Sequence, residues 1–294
     1  MILSPICLFV YNRLEETIKT VDSLKNNKYA IDSILYIFSD GPKSKDDQLK
    51  VNSVRKYIKS ITGFKKILVI ESVNNKGLAN SIINGVQLVL NKFDTVIVLE
   101  DDLITSPIFL HYMNNALLKY KHIPSISTIC GYSHNLSILN SYQKDVYFAV
   151  RPSSWGWATW NDRWSRVNWD DKFYWKFIYN PYYLFKLNKG GSDIIQMLLN
   201  QLNGKINSWA IKWTATQLIN ENLSVFPTLS LIKNNGINDN ATNTKKSLRF
   251  EVDFESNENK KYFFPEQPLK DKIIHKQFRQ KYSILARLRD KFIK

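Results

Sequence analysis

The chain has 294 residues, of which 44% are hydrophobic, and a formal net charge of +15. This length can bury one large core or two smaller ones, and charged residues interrupt every apolar run before it reaches the length of a transmembrane helix. The first residues lack the basic segment of a signal peptide, so we expect a cytoplasmic protein. Cys7 and Cys130 lie in apolar runs and are predicted to be core residues rather than a disulfide.

Strand-like apolar runs recur through the first part of the chain at 3–10, 33–38, 66–71, 95–99 and 126–130. The segments between them show helical spacing of apolar residues, in one stripe at Leu14, Ile18, Val21 and Leu24 and in another at Leu78, Ile82, Val86 and Val89. Strands that alternate with helices indicate βαβ units and a largely parallel sheet. We therefore predict an α/β fold in which residues 1–130 form a nucleotide-binding half.

The composition changes after residue 145, because all eight tryptophans of the chain follow it: Trp155, Trp157, Trp160, Trp164, Trp169, Trp175, Trp209 and Trp213. No segment rich in Pro, Gly and Ser separates the two parts. Residues 131–265 are therefore predicted to form the second half of the same domain, and residues 266–294 a C-terminal tail.

The tail concentrates the basic charge. Residues 270–294 carry nine Lys or Arg against two Asp, a local net charge of +7. Its apolar residues are spaced as one face of a helix: Phe278, Tyr282, Leu285, Leu288 and Phe292. A basic amphipathic helix is typical of proteins that bind an anionic membrane surface. We predict such a peripheral contact through residues 270–294; the alternative is a helix docked on its own domain.

Three adjacent carboxylates follow the fourth strand-like run, in the sequence Thr95-Val-Ile-Val-Leu-Glu100-Asp101-Asp102. Concentrated like charge costs free energy unless a cation or hydrogen-bond donors compensate it. The carboxyl edge of a parallel sheet is also where α/β folds bind ligands. A divalent metal that holds a phosphorylated ligand accounts for both features, because Mg²⁺ and similar ions take one or two carboxylates plus phosphate oxygens. The alternative is a solvated acidic turn.

Polar residues also follow the other strands of the first half. Tyr11 and Arg13 come after the first strand, Asp40 after the second, and Lys76 and Asn80 after the third. Arg13 could pair with a diphosphate, and Asp40 could accept hydrogen bonds from a base or a ribose. Each residue alone is typical of an ordinary turn or helix start, but together they indicate a ligand site at one edge of the sheet.

These segments together resemble the GT-A glycosyltransferases, in particular the N-acetylglucosaminyltransferase I type and related bacterial sugar transferases. The matching segments, in order, are Phe9-Val-Tyr-Asn-Arg13, Phe38-Ser-Asp-Gly-Pro42, Asn75-Lys-Gly-Leu78, Leu99-Glu-Asp-Asp-Leu103, Pro152-Ser-Ser-Trp-Gly-Trp157 and Pro227 through Gly236. They cover about residues 3–240. The resemblance implies a Rossmann-like GT-A fold and transfer of a sugar from a nucleotide-sugar donor.

The resemblance also implies roles for single residues. Phe9, Arg13 and Asp40 would line a uridine-diphosphate site. Asp102 would be the direct ligand of Mn²⁺ or Mg²⁺, with Glu100 and Asp101 touching ribose and sugar. The loop at Gly236 and Ile237 would close over the nucleotide.

The Trp-rich segment is predicted to hold the acceptor. Aromatic faces offer sugar rings a flat apolar surface. Trp155, Trp157 and Trp209 are the candidates, with Gly156 permitting close backbone approach, whereas Trp160, Trp164 and Trp175 are predicted to be core.

The sequence departs from the family where an inverting transferase needs a carboxylate base to deprotonate the acceptor. The corresponding segment, Ser208-Trp-Ala-Ile-Lys-Trp213, contains no acid. Asp170 and Asp171 are the nearest candidates, followed by Asp193 and Asp239. Another segment supplies the base, or the reaction does not invert, or activity is lost.

We therefore predict a metal-dependent glycosyltransferase that moves a sugar from a UDP-sugar to a hydroxyl of a glycan, in a bacterial surface polysaccharide or a lipid-linked oligosaccharide, and that inverts the anomeric configuration. A sugar nucleotidyltransferase is the nearest enzymatic alternative, and a catalytically silent carbohydrate-binding protein is the alternative from another class. The uneven charge and the lack of a recognisable nucleic-acid-binding motif argue against a nucleic-acid partner.

Overall fold

The apolar runs of the sequence form strands in the computed structural model, which describes residues 2–236, 252–286 and 289. In these residues, eight strands form one sheet and two form a small second sheet. The strands are β1 (Ile6–Val10), β2 (Ile34–Ser39), β3 (Lys66–Glu71), β4 (Thr95–Glu100), β5 (Leu103–Thr105), β6 (Ile126–Cys130), β7 (Val146–Ala149), β8 (Trp157–Trp160), β9 (Leu223–Pro227) and β10 (Ile232–Asn234). The five strand-like runs predicted from the sequence correspond to β1, β2, β3, β4 and β6.

Helices connect most of these strands. The α-helices of the described residues are α1 (Leu14–Lys25), α2 (Lys45–Ile58), α3 (Leu78–Leu90), α4 (Phe109–Lys119), α5 (Asn161–Trp164), α6 (Trp175–Ile178), α7 (Pro181–Asn188), α8 (Asp193–Leu202), α9 (Trp209–Ile219) and α10 (Lys272–Lys281). Short 3₁₀ segments occupy Ala30–Asp32, Ser137–Ser141 and Asp171–Tyr174. Ser44 begins α2 as an N-cap that accepts a hydrogen bond from the backbone N–H of Asp47.

The large sheet has the strand order β3-β2-β1-β4-β8-β6-β9-β7. Six of its strands run in one direction, and β7 and β8 run in the opposite direction. The predicted α/β GT-A fold with a mostly parallel sheet is therefore confirmed. The sequence did not reveal β8, which inserts between β4 and β6 and brings part of the Trp-rich segment into the sheet.

Hydrophobic layers cover both faces of the sheet. In β1, Ile6, Leu8 and Val10 belong to one layer, whereas Cys7 and Phe9 belong to the other. This alternation is expected of a strand buried on both faces. Cys7 and Cys130 are buried free cysteines, as predicted.

The C-terminal helix α10 packs against the domain rather than standing free. Its side chains Ile274 and Phe278, together with Tyr282, are buried in a cluster with Tyr147 and Phe226. The prediction that Phe278 and Tyr282 belong to a membrane-binding stripe is therefore wrong, because protein already covers both rings.

The rest of the predicted stripe is only partly described. Leu285 is 78% exposed. Leu288 and Phe292 lie outside the described residues. Within the described residues, no helix combines the length and the apolar character needed to cross a bilayer.

Candidate active site

The acidic triplet lies at the carboxyl edge of the sheet, at the end of a fully apolar strand. Glu100 is the last residue of β4 and pairs in register with Phe9 of β1. Asp101 and Asp102 form the turn that leads into β5. Asp101 is only 3% exposed. This is the position that the sequence predicts for a ligand site.

Arg13 is the cation that faces the triplet in the structure. It follows β1 and precedes α1, and its guanidinium contacts the carboxylates of both aspartates. One nitrogen pairs with Asp101, and the other lies 3.1 Å from Oδ2 of Asp102. The structure thus brings Arg13, Asp101 and Asp102 together, as the sequence analysis expects.

Burial dominates the electrostatics of these groups. It raises the pKa of Asp101 to about 6, while Arg13 acts in the opposite direction. Desolvation also raises the pKa of Glu100 to about 8, and the charges of Asp102 and Asp101 add to the rise. Burial alone would lower the pKa of Arg13, but attraction to the two aspartates raises it above its ordinary value. The triplet is therefore a site that favours an additional cation.

Hydrogen bonds fix the backbone and side chain of Asp101. The hydroxyl of Thr20, on the buried face of α1, donates to the carbonyl of Asp101 at 2.8 Å. The backbone N–H of Tyr11 donates to the carboxylate of Asp101 at 3.2 Å. Thr20 was missed by the sequence analysis, which assigned the buried face of α1 to apolar residues alone.

Gly236 packs closely against the side chain of Asp102. β10 pairs with β5 and places Asn234 opposite Leu103. The backbone N–H of Asn235 donates to the carbonyl of Asp102 at 2.7 Å. A Cβ on Gly236 would lie 2.4 Å from Oδ2 of Asp102, so only glycine permits this approach. Ile237, the other residue predicted for this loop, lies outside the described residues.

Asp40 organises the neighbouring loop. Its carboxylate accepts hydrogen bonds from the backbone N–H groups of Gly41, Lys76 and Gly77 at 2.8–2.9 Å. These donors join the loop after β2 to the start of α3. These hydrogen bonds give Asp40 a positioning role, and its contact with a base or ribose stays a prediction.

Lys76 and Asn80 flank this loop on its exposed side. Both side chains face solvent, and the amide of Asn80 donates to the carbonyl of Lys76 at 2.9 Å. The hydroxyl of Tyr11 donates to Asp47 at 3.0 Å and accepts from the backbone N–H of Lys43. Tyr11 therefore joins the triplet, through its backbone N–H, to the start of α2, through its hydroxyl.

Phe9 lies beneath the site rather than in it. The residue is 4% exposed, and its ring stacks on Phe38 with centroids 4.9 Å apart. A Cβ on Gly85 of α3 would approach the Phe9 ring to 2.7 Å, so this helix covers the ring closely. The prediction that Phe9 lines the nucleotide site is corrected to a role in its floor, because no face of the ring is open.

A cavity of about 210 Å³ opens on the Trp-rich side of the same sheet edge. Val98 of β4 pairs with Trp157 of the antiparallel β8, so Trp155 precedes β8 at the edge where Glu100 ends β4. The side chains that line the cavity come from five parts of the chain: Tyr132, His134, Arg151, Pro152, Ser153, Ser154, Trp155, Ile194, Met197, Trp209, Ala210, Ile211, Trp213, Thr214 and Tyr282.

Trp155 is the predicted acceptor tryptophan that the cavity keeps accessible. Its ring is partly buried and packs edge-on against Tyr132 with centroids 4.7 Å apart. Gly156 beside it has φ +60° and lies so close to Ile232 that a Cβ would come within 2.6 Å. The close backbone approach predicted for Gly156 is thus a contact with β10.

Trp157 is placed in the core instead, and Trp209 is nearly buried although it borders the cavity. They are 1% and 3% exposed, and their rings stack on each other with centroids 5.0 Å apart. The ring of Trp164 also stacks on that of Trp157, with centroids 5.5 Å apart. The prediction that Trp157 offers a face to a sugar is therefore corrected, and the role of Trp209 at the cavity stays a prediction. Trp160 and Trp164 are buried as predicted.

No Asp or Glu is among the described residues that line the cavity. Asp170 caps a 3₁₀ turn by accepting from the backbone N–H of Lys172, and Asp171 pairs with Lys212 at 3.1 Å. Both carboxylates therefore serve contacts outside the cavity lining, and we propose that neither is the base. Asp239 lies outside the described residues.

Asp193 is the predicted alternative that the structure connects to the cavity. It is 1% exposed and pairs with Arg151 at 2.7 Å. Arg151 lines the cavity, and its guanidinium lies 3.8 Å from the ring centroid of Tyr282. Asp193 thus positions a cation at the cavity wall.

Comparison with known proteins identifies the family. The family model "Glycosyl transferase family 2" matches residues 6–189, which is more than half of the chain and includes the acidic triplet. The chain belongs to glycosyl transferase family 2. It is therefore a nucleotide-sugar-dependent glycosyltransferase, as the sequence analysis predicts. The closer likeness to the N-acetylglucosaminyltransferase I type stays a prediction.

Solved structures resemble this family 2 chain only distantly. S. aureus TarS is 14% identical over 43% of this chain and 21% of TarS, with a TM-score of 0.29. The mannosyltransferase PcManGT from Pyrobaculum calidifontis, in complex with GDP-Man and Mn²⁺, is 12% identical over 73% of this chain and 74% of PcManGT, with a TM-score of 0.42. A UDP-glucose pyrophosphorylase complexed with UDP-glucose is 12% identical over 79% and 92%, with a TM-score of 0.37.

The aligned part of this chain spans about a fifth of TarS. No curated protein matches the chain.

The donor set of this glycosyltransferase fits a metal that arrives with a phosphorylated ligand. No group of three or more His, Cys, Asp or Glu side chains converges on a metal position within the described residues. The carboxylate of Asp101 is buried by its contacts with Arg13 and Tyr11, whereas Asp102, which also pairs with Arg13, and Glu100 are partly exposed. One or two carboxylates are what Mg²⁺ or Mn²⁺ takes from a protein when phosphate oxygens complete its coordination.

Proposed function

We propose that this protein transfers a sugar from a UDP-sugar to a hydroxyl of a glycan in a reaction that depends on Mn²⁺ or Mg²⁺. The observation that carries the proposal is the acidic triplet at the carboxyl edge of the sheet, with Asp102 between Arg13 and Gly236. A cation bound there would neutralise charge on the departing diphosphate, which is the chemistry that the group would supply.

The donor would bind along the edge formed by the ends of β1, β2 and β4. Asp102, with Glu100, would hold the metal. Arg13 is able to turn from the aspartates to the diphosphate, because 36% of its side chain is exposed. The loop that Asp40 fixes would form the wall next to the nucleotide.

The acceptor would bind in the cavity between Trp155 and Ala210. This cavity shares the sheet edge with the triplet, so an acceptor hydroxyl there would face the donor sugar. Trp155 would contact the apolar face of a sugar ring, and Ser153, Ser154 and Thr214 would supply hydroxyl groups for hydrogen bonds.

Thermal-shift measurements with a panel of nucleotides and nucleotide sugars, with and without Mn²⁺, test the donor assignment. We expect a stabilisation that is selective for uridine nucleotides and that requires the metal. Asp102→Ala should remove the metal-dependent part. Asp94→Ala is the matched control, because Asp94 precedes β4 at its opposite end and its side chain is 82% exposed. Equal shifts for Asp102→Ala and wild type would refute the assignment of the metal ligand.

A further inference from the structure

The segment between Asp171 and Asp193 has an unusual composition that the proposed reaction does not use. Its 21 residues include four lysines and no acidic residue. They also include eight aromatic residues: Phe173, Tyr174, Trp175, Phe177, Tyr179, Tyr182, Tyr183 and Phe185. Helices α6 and α7 lie in this segment.

Three of these aromatic side chains project into solvent from α7 and the residues just before it. Tyr179 is 77% exposed, Tyr182 is 58% exposed and Phe185 is 66% exposed. Leu187, on the other side of α7, is fully buried and holds the helix on the domain. The exposed rings are therefore presented by a fixed element and are not required for the core.

Lysine side chains lie among these rings. Lys186 lies 4.7 Å from the ring centroid of Tyr182, and Lys189 lies 5.2 Å from that of Phe185. Lys176 lies 3.9 Å from the centroid of Phe173. Glu221 pairs with both Lys186 and Lys189, so the four lysines of the segment keep a net positive charge of three when Glu221 is included.

Ile284 of the C-terminal tail adjoins this segment. The backbone N–H of Ile284 donates to the hydroxyl of Ser192 at 3.0 Å, in the loop that follows α7. Ile284 is 45% exposed and Leu285 is 78% exposed. Apolar side chains of the tail thus lie next to the aromatic and basic segment.

We propose that the α7 surface, defined as Lys172, Lys176, Tyr179, Tyr182, Phe185 and Lys189, binds the surface of an anionic lipid bilayer. Aromatic rings partition into the interfacial region of a bilayer, and lysines beside them attract anionic headgroups. A neutral glycan could stack on the rings but offers no partner for the positive charge. The proposal replaces the buried stripe of α10 as the membrane contact and does not depend on the transfer reaction.

The position of this surface has a consequence for the acceptor. The loop after α7 leads into α8, and Ile194 and Met197 of α8 line the cavity beside Trp155. A protein bound through the α7 surface would hold that cavity close to the bilayer. Only this consequence, which favours a lipid-linked acceptor, rests on the proposed function.

Co-sedimentation with vesicles tests the surface directly. We expect the full-length protein to bind vesicles that contain phosphatidylglycerol and not vesicles of phosphatidylcholine alone. The triple variant Tyr179→Ser, Tyr182→Ser, Phe185→Ser should have a partition coefficient lower than that of wild type by about tenfold or more. The matched control is Ile31→Ser, Leu49→Ser, Val73→Ser, whose positions are equally exposed and far from α7 in sequence; its binding should equal that of wild type.

The charge component has its own variants. Lys172→Gln with Lys176→Gln should weaken binding by about 30-fold, since each lysine near an anionic surface contributes about 1 kcal/mol. Lys45→Gln with Lys50→Gln, on exposed positions of α2, is the control. Raising the salt concentration should weaken wild-type binding as well.

Several results would overturn the proposal. One is undiminished vesicle binding by the aromatic triple variant. Another is binding that survives in this variant but is lost in Ile284→Ser, Leu285→Ser, which would place the contact on the tail. A dimer of the wild type that the triple variant abolishes, or lipid-free binding to a glycan that it abolishes, would assign the surface to another partner.

Discussion

Replacing Arg13 by alanine tests the electrostatics of the acidic triplet. The substitution removes the cation that pairs with Asp101, whose side chain is 4% exposed, and with Asp102 at 3.1 Å. Removing one partner of a buried ion pair costs about 3–5 kcal/mol. Since 36% of the Arg13 side chain is exposed, solvent screening reduces the expected loss to about 2 kcal/mol. For a chain of this size, that loss lowers the melting temperature by about 4–8 °C.

The loss should depend on pH with a definite sign. The pKa of Asp101 is raised to about 6 by burial, so the folded state holds this proton more tightly than the unfolded state. Its contribution to stability is therefore complete in acid and is lost as the pH rises through about 6. Without Arg13 the pKa of Asp101 rises further. We expect Arg13→Ala to be nearly as stable as wild type at about pH 5 and clearly less stable at about pH 8.

Differential scanning fluorimetry of metal-free protein at the two pH values measures this difference. Arg13→Lys keeps a positive charge and should lose less than half as much stability. Arg166→Ala, which removes an exposed partner of Asp162, should lose at most about 1 kcal/mol. Mn²⁺ should stabilise Arg13→Ala more than wild type, because in this variant no arginine neutralises the charge of Asp101 and Asp102. Equal melting temperatures of Arg13→Ala and wild type at about pH 8 would refute the reasoning.

Two further predictions concern the acceptor side. Gly156→Ala should destabilise the protein by about 2–4 kcal/mol in chemical denaturation, because φ is +60° and the new Cβ would lie 2.6 Å from Ile232; unchanged stability would contradict the contact with β10. Asp170→Asn and Asp171→Asn should keep wild-type turnover in a donor-consumption assay, although Asp171→Asn should lose some stability with its partner Lys212. A loss of about 10²-fold in either variant would restore that residue as the base.

The sequence sufficed for the donor half because its signals are local. Apolar runs of strand length located β1 to β4, and three like charges at the end of such a run had no packing role to explain them. Arg13 and Asp102 could therefore be predicted to meet. The hydrogen bonds that Asp40 accepts from Lys76 and Gly77 could not be predicted, because the donors are backbone N–H groups, which nearly every residue type has.

The acceptor half was harder because tryptophan packing depends on tertiary neighbours. Trp155 and Trp157 are two residues apart, yet one borders the cavity and the other is 1% exposed in a stack. The decisive element, β8, lies antiparallel between two parallel strands, and its four residues show no polar alternation. The tail illustrates the same ambiguity, since an apolar helix face fits a membrane and the protein's own domain equally well.

Isothermal titration of UDP into the full-length protein, with and without Mn²⁺, tests the central claim most directly. We predict heat of binding with Mn²⁺ present, little or none after chelation of the metal, and none with Mn²⁺ for Asp102→Ala, while Asp94→Ala behaves as wild type. The same UDP affinity with and without metal, or retained metal-dependent affinity in Asp102→Ala, would contradict the assignment of the acidic triplet as the metal and diphosphate site.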